Sequence, residues 1–182
     1  MQKEIIISGF GGQGVLFAGQ ILAYAAMDQG KHVTWIPSYG PEMRGGTANC
    51  TVVIADEEIG SPLVKHPSAA IALNLPSLDK YEPLVVTDGA LVINQSMVDR
   101  GAKRGDLRVA SVPANEIAEQ IGDKKLTNMV TVGALLAVMD GIPLEAAETA
   151  LKNHLPARHQ HLLPKNVEAL RRGYAAARAQ LS

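Results

Sequence analysis

The stretch ISGFGGQGVLFAG, Ile7 to Gly19, limits what this chain can fold into more than any other. It sets Gly9, Gly11 and Gly14 in the spacing G-x-G-x-x-G directly after a short β-branched run, Glu4 to Ser8. Between Ile5 and Ile7 that run does not alternate with polar residues, which is the pattern of a strand buried on both faces and central in its sheet. From Gln13 to Gln29 the period becomes helical, with Val15, Leu22 and Ala26 on one side, Gly19 and Ala23 as small neighbours, and Gly30 as a stop. A strand, a glycine turn and a helix aim backbone N–H groups and the positive end of the helix dipole at one spot, which suits a phosphate. The same glycines also serve a tight turn and a close helix-to-sheet approach and nothing more, so the motif leaves both readings open.

The rest of the chain keeps alternating. Strands are expected at His32–Ile36, Thr47–Ala55, Ala69–Leu73, Leu84–Thr87, Ala90–Ile93 and Leu107–Val112, and helices at Pro113–Ile121, Asn128–Asp140, Pro143–His154 and Pro164–Leu181. Asp88-Gly89 reads as a hairpin turn, which would make the sheet mixed. A chain of 182 residues suffices for one covered sheet and falls short of two ordinary domains. The expectation is therefore a single α/β domain over residues 1–182: a layered sandwich with a largely parallel or mixed central sheet and a Rossmann-like glycine-rich first βα turn.

Charge and cysteine content exclude several classes. Lys and Arg total 17 against 18 Asp and Glu, a formal net charge of −1, and neither sign forms a long block. No general attraction to nucleic acid or an anionic membrane follows. The single cysteine, Cys50, excludes an intrachain disulfide and an iron–sulfur cluster held by four thiolates of this chain, and points to a reducing, cytoplasmic setting. The first apolar run is too short for a signal-peptide core and VTVGALLAVM is about half a membrane span, so a soluble chain is expected. No nucleophile–base pair and no thiamine-type Gly-Asp-Gly motif stands out, so no catalytic residue is assigned. His159 and His161 form H-x-H without an acidic or cysteine neighbour, and no metal ligand is assigned either. A dinucleotide site also wants an acidic residue near the end of the second strand to hold a ribose. Asp28 comes too early for that and Glu42 well past it, which leaves a free-standing nucleotide-binding reductase, dependent on NAD(P) or flavin, as the alternative.

Three segments carry the reading further. GFGGQGVLFAGQILAYAA, then SYGPEMRGGTANC from Ser38 to Cys50, then EEIGSPLV from Glu57 to Val64, together resemble the gamma subunit, or gamma domain, of the 2-oxoacid:ferredoxin (acceptor) oxidoreductases. The resemblance continues through NMVTVGALLA near Asn128. The form SYGPEMRGG is most similar to the 2-oxoglutarate branch, with branched-chain 2-oxoacid enzymes next and pyruvate as a further alternative.

The resemblance implies one chain of an assembly that oxidatively decarboxylates a 2-oxoacid to an acyl-CoA and passes electrons to ferredoxin. Thiamine diphosphate with Mg2+ and the iron–sulfur clusters would belong to the complex, with alpha, beta and ferredoxin-like delta subunits as partners. This chain would cover the active site or the coenzyme A region, form subunit interfaces, and be inactive alone. The candidate contact residues are Gly9, Gly11, Gly12, Gln13 and Gly14 in the turn, and Tyr39, Glu42, Met43, Arg44, Gly45 and Gly46 in the later loop. Arg44 would either reach a substrate carboxylate or a coenzyme phosphate with paired hydrogen bonds, or bridge to Glu42 or another carboxylate. Tyr39 and Met43 would line an acyl or pantetheine channel, or pack at an interface. In the final helix Val167, Leu170, Tyr174, Ala177 and Leu181 form one seam, which fits core packing or the docking of a second subunit, a second gamma chain included.

Overall fold

The computed structural model describes residues 1–39 and 47–181. Strand β1 (Gln2–Phe10) leads into helix α1 (Val15–Met27), followed by β2 (His32–Tyr39), β3 (Thr47–Ala55) and β4 (Ala69–Ala72). Helix α2 (Leu75–Tyr81) then precedes β5 (Ala90–Asn94) and β6 (Arg108–Val112). The chain finishes with four helices: α3 (Ala114–Ile121), α4 (Thr127–Val138), α5 (Leu144–His154) and α6 (Leu163–Arg178).

Six strands form one sheet in the order β2-β3-β1-β4-β5-β6. Strands β1, β4, β5 and β6 run parallel, whereas β3 is antiparallel to both β1 and β2. The mixed sheet was expected, but its origin differs. It comes from β3 inserted between β1 and β2, and Asp88-Gly89 makes no hairpin, since the strands on either side of it are parallel neighbours in a crossover. β1 is interior, with Ile5 and Ile7 fully buried on one face and Ile6 at 5% exposure on the other. Such side chains each contribute about 1.5–3 kcal/mol by leaving water.

The two faces are covered unequally. Ile5, Ile7, Val52, Ile71 and Val92 join a large core with α1, α4, α5 and α6. Ile6, Ala70, Leu91 and Ile93 meet a smaller one with Leu78 and Tyr81 of α2, Val85 and Val98.

The expected strand at Leu84–Thr87 is absent. Glu82–Leu84 is a 3-10 turn, Val85 dips into the smaller core, and its carbonyl is taken by the Arg104 guanidinium instead of a ladder partner. Just before it lies a helix that the sequence reading passed over, α2, whose Asn74 N-cap accepts from the Ser77 N–H at 3.0 Å and whose Pro76 sits in the first turn. The final seam is used within the chain: Leu170 and Ala177 are buried, Val167 and Tyr174 pack on the large core, and Leu181 lies beyond α6. Here α4 and α6 cross with their backbones touching, since a Cβ on Gly173 would stand 1.9 Å from the Val130 carbonyl oxygen and one on Gly133 2.0 Å from that of Leu170.

Candidate functional site

Parallel strands gather their carboxyl ends at one rim of the sheet, where α/β proteins place ligands. Here that rim carries the glycine turn. Phe10, the last residue of β1, is in register with Thr47, the first of β3, and Tyr39 of β2 with Ala48. The ends of the segment 40–46 are thus tied to the rim that holds Gly11 to Gly14. Glu42, Met43, Arg44, Gly45 and Gly46 lie outside the described residues, and so do the contacts assigned to them.

The turn itself is shaped by two glycines with positive φ, Gly12 at +96° and Gly14 at +74°. Gly14 is the N-cap of α1, with no side-chain cap among the described residues and no acidic residue in the first turn, so no described side chain meets the first N–H groups of the helix at the rim. Gln13 folds back so that its Oε1 accepts the Phe10 N–H at 2.6 Å, closing the end of β1, and takes a longer contact of 3.5 Å from Asn74 Nδ2. Gly9 must lack a side chain for this, because a Cβ there would stand 2.5 Å from Gln13 Oε1. Gly11 is half-buried in the same turn.

Around the turn runs a set of neutral amides that sequence reading did not single out. Asn74 follows β4, Asn94 ends β5, Asn115 opens α3 and Asn128 opens α4. Asn94 Nδ2 donates to the Leu73 carbonyl at 3.3 Å and to Asn115 Oδ1 at 3.1 Å, while Thr127 Oγ1 reaches the same Asn115 oxygen at 3.3 Å. Asn128 Nδ2 donates to the Gly14 carbonyl at 3.1 Å. The polar ends of four elements are thereby linked across the rim. Asn74 and Asn94 share a sequence signal, an amide at the end of an apolar run, as in AAIALN and ALVIN, whereas Asn115 and Asn128 stand in helix first turns without it.

Between these ties opens a cleft of about 220 Å³ lined by Gly12, Gln13, Asn115, Glu119, Lys124, Lys125 and Thr127. Lys124 pairs with Glu119 at 3.1 Å on the exposed side. Among the described residues, two lysines against one carboxylate give the cleft lining a net positive charge. Beside it lies a groove of about 350 Å³, walled by Phe17, Leu126, Leu155, Pro156 and Leu162 and sharing Lys125 with the cleft. A cationic polar cleft beside an apolar groove suits an elongated anionic ligand with an apolar part.

The geometry argues against a dinucleotide site. In that arrangement the second strand lies beside the first and brings its acidic end to the ribose. Here β3 separates β2 from β1, which sets the end of β2 two strand spacings away, about 10 Å. Cys50 is a core residue: fully buried, its Sγ directed at the Val15 carbonyl at 3.4 Å, and its thiol pushed up to about 12 by burial. It is not a thiolate ligand. His159 accepts from the Arg158 guanidinium at 3.1 Å, and among the described residues no three His, Cys, Asp or Glu side chains gather as a metal site. No helix among the described residues is long and apolar enough to cross a membrane.

Comparison with known proteins agrees with this architecture. Residues 4–176 match the family described as pyruvate ferredoxin/flavodoxin oxidoreductase. The chain is 36% identical over 180 residues to 2-oxoglutarate synthase subunit KorC of Methanothermobacter marburgensis, covering 95% of each. It is 39% identical over 181 residues to ketoisovalerate oxidoreductase subunit VorA of Methanothermobacter thermautotrophicus, covering 99% of this chain but spanning only 37% of that longer relative. Among solved structures it superposes on the gamma subunit of a keto/oxoacid ferredoxin oxidoreductase from Geobacter sulfurreducens with a TM-score of 0.82 and 31% identity, over 97% of this chain and 99% of that one. The relatives thus include both 2-oxoglutarate and branched-chain types. The chain belongs to the pyruvate ferredoxin/flavodoxin oxidoreductase family, and within it to the gamma-subunit type of the 2-oxoacid:ferredoxin oxidoreductases.

Proposed function

We propose that this chain serves as the gamma subunit of a coenzyme-A-acylating 2-oxoacid:ferredoxin oxidoreductase, with 2-oxoglutarate the first substrate to test and a branched-chain 2-oxoacid the second. Its part in the reaction is to receive coenzyme A at the carboxyl rim and to close that side of the active site. The observation that carries this is the rim itself, where Gly12 and Gln13 of the turn leading into α1 line one cleft with Lys124 and Lys125, beside an apolar groove that shares Lys125. Coenzyme A is an elongated anion with phosphate charge and a long, weakly polar arm, and the two parts of the rim suit those two parts.

Carbanion stabilisation and one-electron transfer need thiamine diphosphate and iron–sulfur clusters. The only cysteine is buried with a raised pKa, so the donor set of this chain does not fit a cluster. We assign those groups to partner alpha, beta and ferredoxin-like delta chains, and ferredoxin to the role of acceptor. The test is reduction of a viologen dye by the partner chains with 2-oxoglutarate, or a branched-chain 2-oxoacid, and coenzyme A. This chain alone should give no reduction, and adding it should restore or raise the activity. Reduction by this chain alone, or a partner complex equally active without it, would contradict the proposal.

A further inference from the structure

The glycine turn is not shaped by its own residues alone, and the residue that reaches it from furthest along the chain is Asn128. Only 4% exposed, Asn128 bridges 114 residues of sequence to put Nδ2 on the Gly14 carbonyl at 3.1 Å, while its Oδ1 accepts the Met129 N–H at 2.8 Å. The Gly14 carbonyl also accepts the Ala18 N–H at 3.0 Å, as the first bond of α1. A peptide group is planar and trans, so holding the Gly14 oxygen along the helix makes the N–H of Val15 point the other way, off the open end of α1 and toward the rim. Glycine 14 sits at φ +74° with no side-chain cap, where a peptide plane is otherwise free to rock. Asn128 also occupies the space a side chain at position 14 would need, since a Cβ there would stand 2.4 Å from Asn128 Nδ2.

We propose that Asn128 is a positioning residue for the glycine turn, fixing the direction in which the first N–H groups of α1 face a ligand. It acts through the Gly14 peptide, although its side chain also borders the apolar groove. The inference rests on the coenzyme A reading of the rim only for its functional consequence. Its structural half stands without that reading.

Three measurements separate the two. In the unmodified chain, the side-chain amide protons of Asn128 should exchange slowly with solvent; exchange as fast as that of an exposed asparagine would overturn the proposal. In Asn128→Ala and Asn128→Asp, the second of which keeps an oxygen for Met129 N–H but removes the donor to Gly14, exchange of the Gln13 and Ala18 N–H groups, which bond the Phe10 and Gly14 carbonyls, should quicken about three- to tenfold, the loss of one hydrogen bond. Exchange in the middle of α4 should not change by that factor. In the reconstituted complex the same variants should raise the KM for coenzyme A by a similar factor, with kcat at saturating coenzyme A and the KM for the 2-oxoacid unchanged. A turn that does not loosen in either variant, or an α4 that loosens as much, overturns the positioning role. A loosened turn with an unchanged KM for coenzyme A upholds the positioning role and overturns the coenzyme A reading.

Discussion

At the rim where the parallel strands begin, the chain is tied by charge. The Asp56 carboxylate beyond β3 meets the Lys31 ammonium and the N-terminal ammonium, Arg108 of β6 meets Asp140 at 3.1 Å, and Arg104 meets Asp106. Glu82, only 2% exposed, accepts from the Arg100 guanidinium at 2.9 Å and from the backbone N–H groups of Lys103 and Arg104, and so pins the segment before β6 against the end of α2. At the opposite rim most of the ties are neutral amides, from Gln13, Asn74, Asn94, Asn115 and Asn128, beside the Ser96–Glu116 bond, and Lys124 and Lys125 stand at the cleft, Lys124 paired with Glu119 on its exposed side. Amides hold backbone groups without adding a field of their own, which leaves the lysines and the open end of α1 to set the potential there. The contrast separates a bracing rim from a binding rim.

The largest test of that division is Glu82. Burial pushes its pKa up, but the N–H groups of Arg104 and Lys103 and the Arg100 guanidinium outweigh burial and hold the carboxyl below the usual range. Replacing it by alanine leaves two backbone donors and a guanidinium without their acceptor, and should lower the unfolding free energy by about 3 kcal/mol in a denaturant titration. The KM for coenzyme A should not move.

Gly14→Ala comes next. A side chain at φ +74° that also displaces Asn128 should cost about 2 kcal/mol and weaken coenzyme A binding, so it strikes fold and site together. Gly12→Ala divides the two effects. Its φ is also positive, at +96°, but no atom lies within 4 Å of its Cβ position, so the stability loss should be smaller, about 1 kcal/mol, while coenzyme A binding suffers at the cleft. Equal stability losses at the two glycines would remove Asn128 from the account.

The smallest effect is acid sensitivity at the charged rim. The bonds from Lys31, then from the N-terminal ammonium, hold Asp56 at about 2. A carboxyl with a depressed native pKa stabilises the fold above its unfolded value near 4 and loses that contribution as pH falls toward the native one. Asp56→Asn should therefore lower stability slightly at neutral pH and leave it almost unaltered near pH 2, which flattens the acid limb between about pH 4 and 2, as read by thermal melts across that range.

Much of this was legible in the sequence, and the failures have physical causes. β1, the glycine turn and α1 declared themselves by an abrupt change from an unbroken apolar run to a helical period, and β3 by its length. Leu84–Thr87 failed because three apolar residues and a threonine look alike as a strand or as a plug, and only Arg104, twenty residues on from Leu84, decides by taking the Val85 carbonyl. α2 was overlooked although Asn74 and Pro76 mark its start, because its seven residues give barely two turns of period. The site divided in the same way. The glycines are contiguous and carry a motif, whereas Asn74, Asn94, Asn115 and Asn128 are scattered and become one group only when parallel strands bring their ends together.

The claim that the two rims differ in role is tested most directly by two exposed, structurally mild variants in the reconstituted complex. Lys124→Ala combined with Lys125→Ala removes the charge at the cleft, and Asp56→Asn removes charge at the opposite rim. The KM for coenzyme A is measured in both at low salt and neutral pH. The lysine variant should raise it about tenfold or more, the loss of charge-assisted contacts to phosphate, with an unchanged melting temperature, and Asp56→Asn should match the parent. A lysine variant with the parent's KM, or the same rise in both, would contradict the account.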